Sequence, residues 1–76
     1  MSLAVPNAVV NKAINKDMTP IRAWREHLGL TQTEVARRLG ISQSAYAQQE
    51  AKEPVRKATR EKIAQALGIA AEQLAV

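Results

Sequence analysis

The segment from Thr31 to Glu50 constrains the fold most, because it marks the boundaries of two short helices chemically. Thr31 and Glu34 have the spacing of a capping box, which begins a helix. Gly40 is suited to end that helix, since glycine adopts the left-handed conformation that turns a chain sharply. Ser42 is a favourable cap for a second helix. The segment therefore predicts two helices joined by a turn of about three residues, a length that sets them at a steep angle.

The second of these helices has two different faces. The residues expected to face the protein, at helical spacing, are Tyr46, Gln49 and Glu50. The opposite face carries amides and a hydroxyl but no carboxylate, and its residues are Gln43, Ser44, Ala47 and Gln48. A glutamine can donate to and accept from an adenine edge at once, and a serine can bond to either kind of partner. The outer face is therefore typical of a surface that reads bases in a DNA groove.

This pattern resembles the XRE family of bacterial and phage regulators, the lambda-repressor-like helix-turn-helix proteins. The resemblance extends from Pro20 to Leu74. The matching residues are Arg25, Leu28, Gly29, Leu30, Thr31, Gln32, Glu34, Ala36, Leu39, Gly40, Ile41, Ser42, Ser44, Glu50, Ile63, Ala64, Ala66, Leu67 and Gly68. It implies an all-α bundle of five short helices that contains the helix-turn-helix. It also implies sequence-specific binding to double-stranded DNA.

The resemblance assigns roles to particular residues. In this family the second helix of the motif enters the major groove, and the first lies across the DNA backbone. The residues implied to contact bases are Gln43, Ser44, Ala47 and Gln48, with the Ala47 methyl offered to thymine. Gln32 matches a phosphate-contacting position of the family. Further phosphate candidates, from their charge and position, are Arg37, Arg38, Arg56 and Lys57, with a solvated basic face as the alternative for Arg56 and Lys57.

An arginine lies on the inward face of the helix that precedes the motif. Thr19 is expected to cap this helix with Pro20 at its first position. Arg25 needs a partner there, because an inward-facing charge is rarely left unpaired. The partner that the resemblance supplies is Glu50, which would make a structural ion pair. The alternative is two separately solvated charges.

Two conspicuous side chains in this helix are expected to have structural rather than chemical roles. Trp24 has helical spacing to apolar neighbours, which favours a place in the core over base stacking or ligand binding. His27 is expected on the surface. The sequence has one histidine and no cysteine, so it predicts no metal site and no cofactor. No serine or threonine has the neighbouring base that a nucleophile needs, and the protein is not expected to be an enzyme.

Composition limits the chain to a single small domain. Its 76 residues contain 11 Lys and Arg against 7 Asp and Glu, and the resulting charge of +4 suits a polyanionic partner. No apolar run reaches membrane length, so we expect a cytoplasmic protein without a membrane partner. No small-molecule ligand is evident. Residues 1–3 are either native or a remnant of expression.

The two ends of the chain carry apolar stripes of their own. We expect residues 1–18 to be an extension with an amphipathic helix from about 7 to 15, and residues 19–76 to be the DNA-binding domain. The extension could cover its own domain, fray, or bind a second copy or another protein. A helix from about 56 to 67 should end at Gly68, followed by a short last helix over 71–75. Little else in the domain is expected to cover the extension or the last helix, which makes both candidate dimer surfaces.

These expectations lead to three functional hypotheses. The first is a transcriptional regulator such as a repressor, acting as a homodimer because one domain makes too few DNA contacts. The second is an antitoxin of a toxin–antitoxin pair, with a toxin protein bound near residues 3–16. The third is a helical protein-interaction module that does not bind DNA.

Overall fold

The computed structural model describes residues 5–15, 18–52 and 55–74. Its elements are α1 (Asn7–Asn15), α2 (Pro20–His27), α3 (Gln32–Leu39), α4 (Gln43–Ala51), α5 (Lys57–Leu67) and a 3₁₀ turn (Ala71–Leu74). Helices are the only regular structure in these ranges, which confirms the predicted all-α class. Residues 1–3, the Ile14 side chain and Ala75, where the last helix was expected to end, lie outside the described part of the chain.

The predicted boundaries of the two central helices are confirmed. The Thr31 hydroxyl accepts a hydrogen bond from the Glu34 backbone N–H at 3.1 Å, and the Thr31 N–H donates to the Glu34 carboxylate at 3.2 Å. Gly40 has φ 71° and ψ 30°, in the left-handed region. The Ser42 hydroxyl caps α4 by accepting from the Ala45 N–H at 3.1 Å. Because both helices are fixed at the turn, α4 has a defined direction relative to α3.

The core lies where α3 and α4 pack with α2 and α5. Its largest fully buried side chains include Tyr46, Ile21, Ile63 and Val35. Trp24 is 4% exposed and its indole N–H donates to the Gln73 carbonyl at 2.7 Å. The predicted core role of Trp24 is therefore confirmed, and its hydrogen bond ties α2 to the 3₁₀ turn.

The ends of the described chain pack onto this core. Val9 of α1 is fully buried, with Val5 and Ala13 packed around the same cluster. Leu74 is 4% exposed. The last segment is a 3₁₀ turn rather than the expected α-helix, and the Gln73 side chain reaches back to accept from the Ala70 N–H at 2.9 Å, which is the reciprocal half of a capping box.

This packing corrects one premise of the dimer hypothesis. The apolar stripes of α1 and of the last segment were expected to lie uncovered, but Val9 and Leu74 are buried within the same chain. The reason is that α1 packs against α2, and the last segment packs against α5 and α2, so that both join one apolar core. Among large hydrophobic side chains in the described ranges, only Leu28 is exposed, at 40%.

The burial of Val9 predicts that α1 contributes to the stability of the domain. Val9→Ala should lower the free energy of unfolding by about 1 to 3 kcal/mol, because it removes buried methyl groups and leaves a cavity. Val10→Ala is the matched control, since Val10 is only half-buried on the same helix, and it should cost less. Urea denaturation measures the free energy of unfolding of both variants. Equal midpoints for the two variants would contradict the packing of α1 on this core.

Candidate nucleic-acid interface

The outer face of α4 is open to solvent. Gln43, Ser44 and Gln48 are exposed, and Ala47 is half-buried between them. Tyr46 and Glu50, on the opposite side of the same helix, are 0% and 3% exposed. The helix is thus held by one face and presents amide and hydroxyl groups on the other, as the sequence predicts.

The predicted partners Arg25 and Glu50 are in contact beneath this helix. Arg25 Nε donates to Glu50 Oε2 at 2.5 Å, and Arg25 Nη2 donates to Glu50 Oε1 at 3.1 Å. The third donor, Nη1, reaches the Leu30 carbonyl at 2.9 Å. One guanidinium therefore joins α2 to the end of α4 and to the chain entering α3. The two-bond geometry is the strong, directional form of an arginine–carboxylate contact.

Gln32 extends this ion pair to the surface. Its side-chain Nε2 donates to Glu50 Oε1 at 3.0 Å, and its Oε1 accepts from Gln43 Nε2 at 2.6 Å. A carboxylate can only accept, so Glu50 fixes which end of the Gln32 amide faces inward. The Gln32 oxygen must then face Gln43, and Gln43 must present its NH₂ group to it. An ionic contact in the core thereby determines how a surface amide is oriented.

The charges of this network stabilise one another. Burial raises the pKa of the Glu50 carboxyl, but the hydrogen bonds from Arg25 and Gln32 outweigh that effect and leave the pKa below its ordinary value. The hydrogen bond to Glu50 likewise raises the pKa of the Arg25 guanidinium. Glu50 is therefore ionised at neutral pH although it is buried.

Tyr46 lies against the same pair. Burial, followed by the nearby Glu50 carboxylate, raises the pKa of the Tyr46 hydroxyl far above its ordinary value. The hydroxyl is buried, and among the described residues it has no hydrogen-bond partner of standard geometry. Its environment keeps it neutral, and its ring contributes mainly by filling the core below α4.

The phosphate candidates do not form one cluster. Gln32 lies beside Gln43 at the start of α4. Arg38 lies at the other end of α3, where its Nη1 donates to the Ala66 carbonyl at 2.9 Å near the end of α5. Arg37 is exposed close to Arg38, whereas Arg56 and Lys57 are exposed at the start of α5. Only Gln32 directly contacts a predicted base-reading residue.

The sequence reasoning missed several contacts at the site. Gln32 bonds to both Glu50 and Gln43, and the Thr19 hydroxyl donates to the Glu50 carbonyl at 2.6 Å. One signal for the contact between the glutamines was that Gln32 and Gln43 each open a helix of the motif. Nothing in the sequence pattern points to the contact made by Thr19.

The Arg25–Glu50 pair predicts a specific dependence of stability on pH. The pKa of Glu50 is lowered from 4.5 in the folded protein, so its carboxylate stabilises the fold above about pH 4.5, and this contribution is lost as the pH falls through the folded pKa. Glu50→Gln should lower the free energy of unfolding by about 3 kcal/mol at pH 7. The same variant should also lose less stability than the wild type when the pH is lowered below about 4.5.

Glu34→Gln is the control for this experiment. The pKa of Glu34 is also lowered, chiefly by the Thr31 backbone N–H, but its carboxylate is fully exposed. Urea denaturation between pH 2.5 and 8 compares the variants. If Glu50→Gln lost as much stability at acidic pH as the wild type does, the ion pair would not be the source of that loss.

Comparison with known proteins gives one match. A family model described as helix-turn-helix, HTH_3, matches residues 21–74. No curated protein and no solved structure matches the chain. None of the described helices is long and apolar enough to cross a membrane. The matched range covers most of the sequence and contains the capped turn, the Arg25–Glu50 pair and the exposed face of α4. The chain therefore belongs to the XRE-type helix-turn-helix family of DNA-binding regulatory domains.

Proposed function

We propose that this protein is a transcriptional repressor that binds double-stranded DNA sequence-specifically, with α4 in the major groove. The observation that carries the proposal is the exposure of Gln43, Ser44 and Gln48 on a helix whose other face is buried. Major grooves admit an α-helix and distinguish all four base pairs by their donors and acceptors. A helix fixed in direction and bearing amide groups meets both requirements.

The geometry of Gln43 favours a particular base. One N–H of its amide is taken by Gln32, and among the described residues the other N–H and the Oε1 atom have no protein partner. One donor and one acceptor match the adenine edge, where N7 accepts and the N6 amino group donates. Guanine offers two acceptors and would require two donors. Gln43 is therefore assigned to adenine.

The remaining contacts divide between bases and phosphates. Ser44 and Gln48 are the further base-reading residues of the proposal, and the Ala47 methyl is placed for thymine. Gln32 retains one amide N–H and lies in the first turn of α3, whose free backbone N–H groups suit an anionic oxygen. The cations assigned to phosphates elsewhere on the surface are Arg37, Arg38, Arg56 and Lys57. Phosphate contacts set register and salt dependence, and base contacts choose the sequence.

The proposal includes a homodimer on a twofold-symmetric site. A single α4 has only 9 residues, so one copy reads few base pairs. The molecule measures 31 × 27 × 22 Å, and twofold dimers of helix-turn-helix proteins read half-sites about one DNA turn apart, roughly 34 Å. A dimer that contacts two half-sites binds DNA more tightly than one copy on a single half-site.

Selecting bound sites from random duplexes, followed by titration of the best site, tests the proposal. Gln43→Ala should cost about 1 to 3 kcal/mol of binding free energy on that site and relax the preference at one base pair. Gln65→Ala is the matched control, because Gln65 is an exposed amide on α5 outside the interface. Absence of duplex binding by the wild type at 50 mM salt would contradict the proposal and favour a protein-interaction module.

The adenine assignment has a test of its own. Replacing the adenine at the base pair read by Gln43 with 7-deazaadenine removes one acceptor and should weaken wild-type binding by about 1 kcal/mol. The same replacement should have no effect on Gln43→Ala, since the contact is already lost. Fluorescence anisotropy measures the affinity of the wild type and of Gln43→Ala for the normal and the modified duplex. The four affinities give the coupling energy between Gln43 and adenine N7. Additive losses would show that Gln43 does not contact this adenine.

A further inference from the structure

A small pocket lies at the edge of the face that carries Gln43 and Ala47. It has a volume of 240 Å³ and is lined by parts of α2, α3 and α4, among them Arg22, Gln32, Ala47 and Glu50. Gln32 and Ala47 thus border both this pocket and the proposed base-reading face. Arg22 is the residue in this set to which neither the sequence pattern nor the proposed function gives a role.

The position of Arg22 relative to α4 is fixed by Thr19. The Thr19 hydroxyl donates to the Glu50 carbonyl at 2.6 Å and accepts from the Arg22 backbone N–H at 3.3 Å. The first turn of α2 is therefore attached to the last turns of α4. Any group that lies along the outer face of α4 near Ala47 also lies near Arg22.

The charges at the pocket favour an anion. Glu50 is its acidic lining residue, and that carboxylate is already neutralised by Arg25 and bonded to Gln32. The Arg22 side chain is 52% exposed and pairs through Nε with Glu26 at 2.9 Å. Among the described residues its Nη1 and Nη2 atoms donate to no other group. Such an exposed pair one helical turn apart is weak, so Arg22 can add a second anionic partner.

We propose that Arg22 binds a DNA phosphate over this pocket, next to the phosphate assigned to Gln32. The inference rests on the proposed function, because a strand whose bases lie against Gln43 and Ala47 must carry its phosphates along the adjoining side of α4. Guanidinium binds phosphate through two parallel charge-assisted hydrogen bonds, and the two free Nη atoms supply such a fork. Arg22 then fixes the register of the helix without reading sequence.

The experiment measures duplex affinity against salt concentration for the full chain and its variants. Arg22→Gln should weaken binding to the selected site and to unrelated duplexes alike, by about five- to tenfold at 0.1 M salt, and reduce the salt slope by about 0.9. Arg22→Lys should keep most of the slope. Lys62→Gln is the control with the same change of charge, on an exposed α5 residue beside Arg38, and should leave the slope nearly unchanged.

The outcomes separate this inference from the function on which it rests. If the wild type binds no duplex, the proposed function fails and the inference with it. If the wild type binds but Arg22→Gln behaves like Lys62→Gln, the function stands and the role of Arg22 is overturned. A loss confined to the selected site would also overturn it, because a phosphate contact affects all sequences. Circular dichroism melting checks that each variant is folded; should Arg22→Gln unfold, Arg22→Ala takes its place, with the same loss of slope expected and the same outcomes overturning the role of Arg22.

Discussion

The buried contact between Arg25 and Glu50 is the interaction on which the rest of the site depends. It joins α2, the entry to α3 and the end of α4 through one guanidinium. A buried pair of this kind is seldom a large net source of stability relative to an apolar alternative, because both charges must be desolvated. The main contribution of the ion pair is to orient α4. An apolar contact would tolerate sliding or rotation of α4, whereas a two-bond contact sets both the depth and the rotation of the helix.

The same contact also links the interior to the surface. Glu50 accepts from Gln32, and Gln32 accepts from Gln43, so the acceptor-only carboxylate sets the polarity of every bond in the series. Each amide has one productive orientation as a result. In the proposed complex, the amide of Gln43 is already oriented before DNA binds, which reduces the ordering that binding would otherwise require.

The sequence allowed the local features to be predicted and left the tertiary ones open. Caps and the turn were predictable, because Thr31, Gly40 and Ser42 act on their own neighbours through short-range hydrogen bonds and backbone preference. The direction of the α4 face followed from helical spacing alone. The burial of Val9 and Leu74 was not predictable, since it depends on how α1 packs against α2 and how the last segment packs against α5 and α2.

Two residues of the site illustrate the same limit. The attachment of Thr19 to the Glu50 carbonyl joins residues 31 positions apart, and no periodicity signals it. Arg38 is a phosphate candidate from its charge, and its hydrogen bond to the Ala66 carbonyl, near the end of α5 where a cation is favoured, was not predicted. Charge indicates what a side chain can bind, and only packing shows what lies within its reach.

The bond between Gln32 and Gln43 has a consequence for engineering. If α4 reads DNA as proposed, part of the information that selects a DNA sequence lies outside that helix, in Gln32 of α3. Transplanting α4 alone into a related scaffold would carry over the side chains but not the neighbour that orients the first of them. To transfer DNA-sequence specificity between members of this family, Gln32, the first residue of α3, must therefore be moved together with α4.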